Sequence, residues 1–311
     1  MGVRHLNKYL RKHCPNSIKT IHLTELKGKK IVVDISIYLY KYLAEEALME
    51  NMYLLISILL HYNIEPVFIF DGKPPVEKYN TIDKRKQDRK SAKMKLLELE
   101  NVYKTENNIK NKKDLLLKIQ ILKRNSVMVT RNHIHKIKDL LDAYGIQYIV
   151  STGEADELCG YLIETGKAWG CLSDDTDMFV YKCNYVLREI NLLHHTVVLY
   201  DKEQILEDLN INEYDFNQIL VVSSSEYSHN IDITIGQVII LYRKYKGQLL
   251  KYSFYVWLLK TTSYIKDYKE LLNVYQIYNM RFINDVNMQA EKTKDINKIK
   301  TIMKNEGFIF I

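Results

Sequence analysis

Short, β-branched apolar runs that end in a carboxylate recur along this chain, separated by longer stretches with helical spacing. Lys30-Ile31-Val32-Val33-Asp34 reads as a parallel strand buried on both faces, because such a strand is apolar at consecutive positions rather than at alternate ones. Val67-Phe68-Ile69-Phe70-Asp71 repeats the pattern. Between them, residues 36–62 place Leu, Tyr and Ala at helical spacing, which predicts a strand, helix, strand unit. Further strands are expected at 147–150 and 168–172, and helices over 132–144, closed by Gly145, and over 154–164. The fold class this implies is α/β, with a mainly parallel central sheet flanked by helices. In such sheets ligands gather beyond the carboxyl ends of the strands.

Residues 76–125 break this rhythm, being long, charged and helix-forming, and read as an inserted helical element bounded by 72–128. From about residue 213 the chain turns helical again, with amphipathic stretches near 234–245 and 250–260 and a polar tail from 285. The expected organisation is a main domain over 1–245 and a helical C-terminal extension over 246–311.

A net charge of +7 on 311 residues makes a polyanionic partner plausible, and its distribution sharpens the point. Between Lys73 and Arg124 there are about 16 Lys and Arg against about 7 Asp and Glu, a surplus larger than that of the whole chain, so the remainder is slightly acidic. Cys14, Cys159, Cys171 and Cys183 form no CxxC pair and follow no secretory leader, which points to a reducing, intracellular setting and away from a disulfide framework or zinc knuckle. No apolar run has the length of a membrane span, and Leu6 stands where a myristoylation signal wants Ser or Thr.

An Asp at a strand end is commonly a helix cap or a turn residue. Recurrence changes that reading: Asp34 and Asp71 end strands, Glu154 and Asp156 open a helix, and Asp175 and Asp177 follow another strand. Like charges gathered on one edge repel unless a cation lies among them. Oxygen donors without His or Cys select magnesium or manganese. Two such ions about 4 Å apart suit in-line displacement at a phosphodiester. Asp156, between the two groups of carboxylates in sequence, is the candidate to bridge them.

Met1-Gly2-Val3, Val33-Asp34-Ile35-Ser36, Phe70-Asp71-Gly72-Lys73-Pro74-Pro75, Gly153-Glu154-Ala155-Asp156 and Ser173-Asp174-Asp175-Thr176-Asp177, in that order, resemble the flap endonuclease and XPG family of 5′ nucleases, its poxviral members most of all. The likeness spans about residues 1–200. It implies a PIN-like 5′-nuclease fold with a helical arch, and a first metal cluster at Asp34, Asp71, Glu154 and Asp156 with a second at Asp175 and Asp177. Two Mg2+ ions are implied, with Mn2+ as substitute. Lys78 and Arg85 fall where the family places catalytic cations on its arch; the competing reading is a solvated basic face. Lys84, Lys86, Arg89, Lys90 and Arg131 are expected to attract phosphates in a salt-sensitive way. Tyr40 has two readings, a platform for a substrate base and a helical core residue.

The family pattern is altered further on. A seventh ligand is expected at Glu226, beside Tyr227, with Asp232 as the alternative, and the glycines of a helix-hairpin-helix segment are mostly missing from 213–245. No sliding-clamp motif is visible. The resemblance thus implies a structure-specific DNA endonuclease and 5′ exonuclease acting on 5′ flaps, branches or free ends, with viral replication or recombination proteins as partners and no membrane. A DNA-binding scaffold that has lost catalysis is the alternative from another class.

Overall fold

The computed structural model describes residues 2–106, 108–223, 233–248, 251–265, 267–279 and 293–310. Seven strands form one sheet: β1 (Ile18–His22), β2 (Lys30–Asp34), β3 (Glu65–Phe70), β4 (Tyr148–Val150), β5 (Gly170–Leu172), β6 (Tyr185–Asn191) and β7 (Thr196–Asp201), in the spatial order β1-β7-β6-β5-β2-β3-β4. β2 pairs in parallel with β3 and with β5, and β5 in parallel with β6. β7 returns antiparallel beside β6 and carries β1 antiparallel at the edge. The sheet is therefore mainly parallel at its centre, where β2 lies between β5 and β3 with its Ile31, Val32 and Val33 wholly buried.

Among the described residues the helices are α1 (Leu6–His13), α2 (Ile35–Ala44), α3 (Leu48–His61), α4 (Tyr79–Thr105), α5 (Ile109–Ser126), α6 (Arg131–Tyr144), α7 (Ala155–Glu164), α8 (Lys202–Leu209), α9 (Glu213–Val222), α10 (Ile235–Lys246), α11 (Phe254–Thr261), α12 (Tyr268–Asn279) and α13 (Ile296–Asn305). None of them is long and apolar enough to cross a membrane. The stretch expected as one helix over 36–62 is two, α2 and α3. The chain leaves α2 through Glu46 in the left-handed region, φ 58°, without a Gly or Pro to announce the break.

The chain divides into two compact units. The first comprises 1–34, 58–74 and 149–288 and contains the sheet core, against which α1, α7, α9, α10, α11 and α12 bury apolar faces. Ala155, Leu158, Cys159 and Leu162 of α7 illustrate how: their three- and four-residue spacing puts them on one helical face, and all are buried. Full burial of each Leu is worth about 1.5–3 kcal/mol against its exposed state. Gly160 on the same helix lies so close to Tyr181 that an added Cβ would fall 2.3 Å from its carbonyl oxygen.

The second unit comprises 35–57, 75–148 and 289–311. Its α4 and α5 pack against each other as a hairpin, the inserted element expected from the charge run. α6 begins at a reciprocal cap in which the Thr130 hydroxyl accepts the His133 amide and His133 accepts the Thr130 amide. It ends on Gly145 at φ 72°. The polar tail forms α13, which packs on α6, and Phe308 and Phe310 then close around Tyr53 with ring centroids 5.2 and 6.0 Å away.

Candidate functional site

Parallel pairing of β2 with β5 brings the carboxyl ends of both strands to one edge. Asp34 is the last residue of β2 and is 3% exposed. Its Oδ2 accepts the Ser173 hydroxyl at 2.9 Å, and the same Ser173 oxygen accepts the Asp175 amide at 3.1 Å. Asp175 Oδ1 accepts the Asp177 amide at 3.0 Å, which caps a short 3-10 turn. Asp34, Asp175 and Asp177 are thereby linked through one serine, and all three are buried.

Asp71 follows β3 and is exposed. Its Oδ1 accepts the Ala155 amide at 2.9 Å, so a strand end caps the first turn of α7, where a negative charge is favoured by the helix dipole. Glu154 and Asp156 flank that amide and are half-buried. The two loops lie side by side: Gly72 donates to the Gly153 carbonyl at 2.8 Å and Lys73 to that of Thr152 at 3.2 Å. A Cβ on Gly72 would lie 1.8 Å from the Ser151 carbonyl oxygen, so only glycine permits this approach.

The two carboxylate groups meet electrostatically at Cys159, beneath the edge. Burial pushes its thiol up to about 12, and the charges of Asp34 and Asp156 both add to the rise. Cys171 is raised as well, again chiefly by burial. Both thiols are held protonated at neutral pH and offer no thiolate ligand. The donors gathered at this edge are carboxylate oxygens, a set that fits magnesium or manganese better than zinc. Among the described residues no three Asp, Glu, His or Cys side chains close on one point as a finished ligand cage.

The sequence did not single out every group that shapes this edge. The Arg188 guanidinium, 7% exposed, donates to the Asp174 carbonyl at 2.6 Å, and the Glu189 amide donates to Asp174 Oδ1 at 2.7 Å. Gly2, at φ 82°, lies where a Cβ would be 2.2 Å from Asp175 Oδ1. The Tyr278 hydroxyl, from α12, donates to Asp177 Oδ2 at 3.1 Å. No local pattern marks Arg188 or Tyr278, since the first contact depends on the pairing of β5 with β6 and the second joins segments 101 positions apart. Glu226 and Asp232 lie outside the described residues.

In the second unit, Tyr40 is 41% exposed and lines a cavity of about 570 Å3 with Arg85, Arg89, Lys95 and Arg124 and a single acid, Asp88. Clustered cations in a concave wall concentrate positive potential there. Lys84, Lys86 and Lys90 are exposed along α4, Lys78 is buried at the turn preceding it, and Arg131 is exposed at the start of α6.

Two segments of the chain match known families. The XPG N-terminal domain matches residues 1–92 and the XPG I-region matches residues 145–226. The chain is 30% identical over 250 residues to flap endonuclease 1 of Debaryomyces hansenii, covering 74% of this chain but only 63% of that protein. It is 27% identical to the probable RAD2-like endonuclease 369L of Invertebrate iridescent virus 6, covering 94% of this chain and 84% of that one. The catalytic core of Rad2 in complex with DNA substrate superimposes with a TM-score of 0.67 at 23% identity, covering 99% of this chain and 96% of that one, which establishes the fold. With both XPG segments matched in order, and with their motifs meeting at one sheet edge, the chain belongs to the flap endonuclease/XPG family.

Proposed function

We propose that this protein is a structure-specific DNA nuclease that hydrolyses phosphodiester bonds near 5′ flaps, branches or free 5′ ends with two bound Mg2+ ions. The observation that carries this reading is the union of Asp34, Asp175 and Asp177 through Ser173, beside Asp71, Glu154 and Asp156, at the carboxyl edge of the sheet.

In this reading Asp34, Asp71, Glu154 and Asp156 would hold one ion and Asp175 and Asp177 the other, with Asp156 the candidate to be shared. Bound magnesium would polarise a water for in-line attack and steady the departing oxygen. The chain's own contribution is orientation. Ser173 fixes Asp34, the Ala155 amide fixes Asp71, and the Asp177 amide fixes Asp175. Arg85 and Arg89, beside Tyr40, would attract the sugar–phosphate backbone of a single strand while the Tyr40 ring offers a face to a base. Lys78 and Arg85 are the candidates to stabilise charge on the scissile phosphate. Lys84, Lys86, Lys90 and Arg131 add sequence-independent attraction. The seventh ligand would be Glu226, with Asp232 as the alternative, both outside the described residues.

The test is cleavage of end-labelled 5′ flaps, 3′ flaps, gaps, nicks and blunt duplexes under a magnesium titration, with the parental chain beside an Asp175→Asn, Asp177→Asn double variant. Metal-dependent cutting of 5′ structures by the parent alone supports the reading. Equal cutting by the double variant excludes it, and DNA binding without turnover by either protein identifies a scaffold.

A further inference from the structure

α12 turns Leu271, Val274 and Tyr278 toward the core, on one helical face, and all three are buried. The Tyr278 ring meets Tyr181 edge-on with centroids 5.1 Å apart. Its hydroxyl then reaches Asp177 Oδ2 at 3.1 Å, with Tyr278 1% and Asp177 2% exposed. A helix 101 positions further along the chain therefore delivers a donor to Asp177 of the candidate site. α12 also lies beyond residue 226, where the XPG I-region match ends.

Packing alone does not require that hydroxyl. A phenylalanine would keep the ring contact with Tyr181 and fill nearly the same volume. What the oxygen adds is a hydrogen bond to a carboxylate, stronger than a neutral one and directional. It restricts rotation of the Asp177 carboxylate and so sets which oxygen, at what angle, is presented to a ligand. Groups that orient a metal's ligands in this way typically govern affinity or activity by about 10–100-fold.

We propose that Tyr278 is a positioning residue for Asp177, holding its carboxylate in the orientation that ligates a divalent cation. This rests on the metal-dependent reading above. It makes the C-terminal helix α12 part of the metal centre's support.

The variant Tyr278→Phe, in the full chain, removes one oxygen. Two titrations follow: Mg2+ against flap cleavage, and Mn2+ against the protein alone, with free Mn2+ read by electron paramagnetic resonance. We expect the half-saturating Mg2+ concentration to rise about 10-fold or more and Mn2+ binding to weaken in parallel. The rate at saturating metal should fall much less, and flap affinity in calcium and the unfolding temperature of the metal-free protein should be nearly unchanged. A Tyr278→Leu variant, which loses the ring as well, should also lower that temperature. Parental half-saturation and Mn2+ affinity in Tyr278→Phe would overturn the proposal and leave Tyr278 a packing residue. A parent that binds Mn2+ without cutting any flap would overturn the nuclease reading, while the Mn2+ titration still decides the role of Tyr278. A parent that neither cuts nor binds Mn2+ overturns both.

Discussion

The Asp71 carboxylate accepts the backbone amide of Ala155 at 2.9 Å, tying a strand end to the first turn of a helix 84 positions later. The bond separates two roles that one residue performs. Asp71→Asn keeps an acceptor oxygen for the amide and discards the charge, whereas Asp71→Ala discards both. Thermal unfolding should show the Asn variant close to the parent and the Ala variant less stable by about 1 kcal/mol, the worth of a helix cap. Both should lose magnesium-dependent cleavage. If the Asn variant retained it, Asp71 would serve α7 and not a cation.

Ser173 is the joint between Asp34 and Asp175, donating to one and accepting from the amide of the other, with no exposure of its own. Ser173→Ala strips a buried carboxylate of a donor and a buried amide of an acceptor. Each loss costs about 1–3 kcal/mol, so the unfolding midpoint in urea should fall clearly. The half-saturating magnesium concentration should rise as well. Cleavage with parental metal dependence in a destabilised variant would show that the serine supports the fold alone.

These two contacts mark the limits of what was legible in the sequence. The central strands were plain because burial on both faces demands continuous apolar runs, as in Ile31, Val32 and Val33. β6 was not, because Arg188 and Glu189 interrupt its run; the buried guanidinium donates to the Asp174 carbonyl and lies 5.5 Å over the Tyr200 ring. β7 and β1 depend on that same antiparallel return. The carboxylates announced themselves by following strands, whereas Tyr278 sits on an amphipathic helix whose inward face looks like any other. The basic run predicted a helical insertion. Which of its cations turn toward Tyr40 depends on how α4 and α5 pack.

The buried thiols make stability fall in alkali. Cys159 and Cys171 keep their protons in the fold to pH values well above the ordinary 9.0, with Cys159 at about 12, both chiefly through burial. Below pH 9 folded and unfolded thiols are both protonated, and this contribution is complete. As pH rises from there toward 12 the unfolded chain releases protons that the folded chain retains, so unfolding gains about 1.4 kcal/mol per pH unit for each thiol. Urea unfolding between pH 8.5 and about 9.5, where ordinary tyrosines are still mostly protonated, should show this decline, to which tyrosines held protonated by burial, such as Tyr144 and Tyr255, also contribute. Cys159→Ala, although less stable at pH 7, should show a shallower one. Identical slopes would place the alkaline sensitivity elsewhere.

The cavity beside Tyr40 carries Arg85, Arg89, Lys95 and Arg124 against Asp88, an excess of cations that would engage phosphates of a single strand. Phosphate contacts of this kind release counterions, so affinity falls with salt in proportion to their number, with a slope of about −0.7 per contact for single strands. Arg89→Gln with Arg124→Gln should weaken binding of a single-stranded oligonucleotide uniformly across sequences and flatten the logarithmic salt dependence by about 1.4. Tyr40→Leu, by contrast, should lower affinity by about 1–3 kcal/mol while leaving the slope intact, because base stacking releases no counterions. Fluorescence anisotropy at several salt concentrations reads both quantities. A Tyr40 variant that changed the slope, or an arginine variant that left it untouched, would mean that the strand does not enter this cavity.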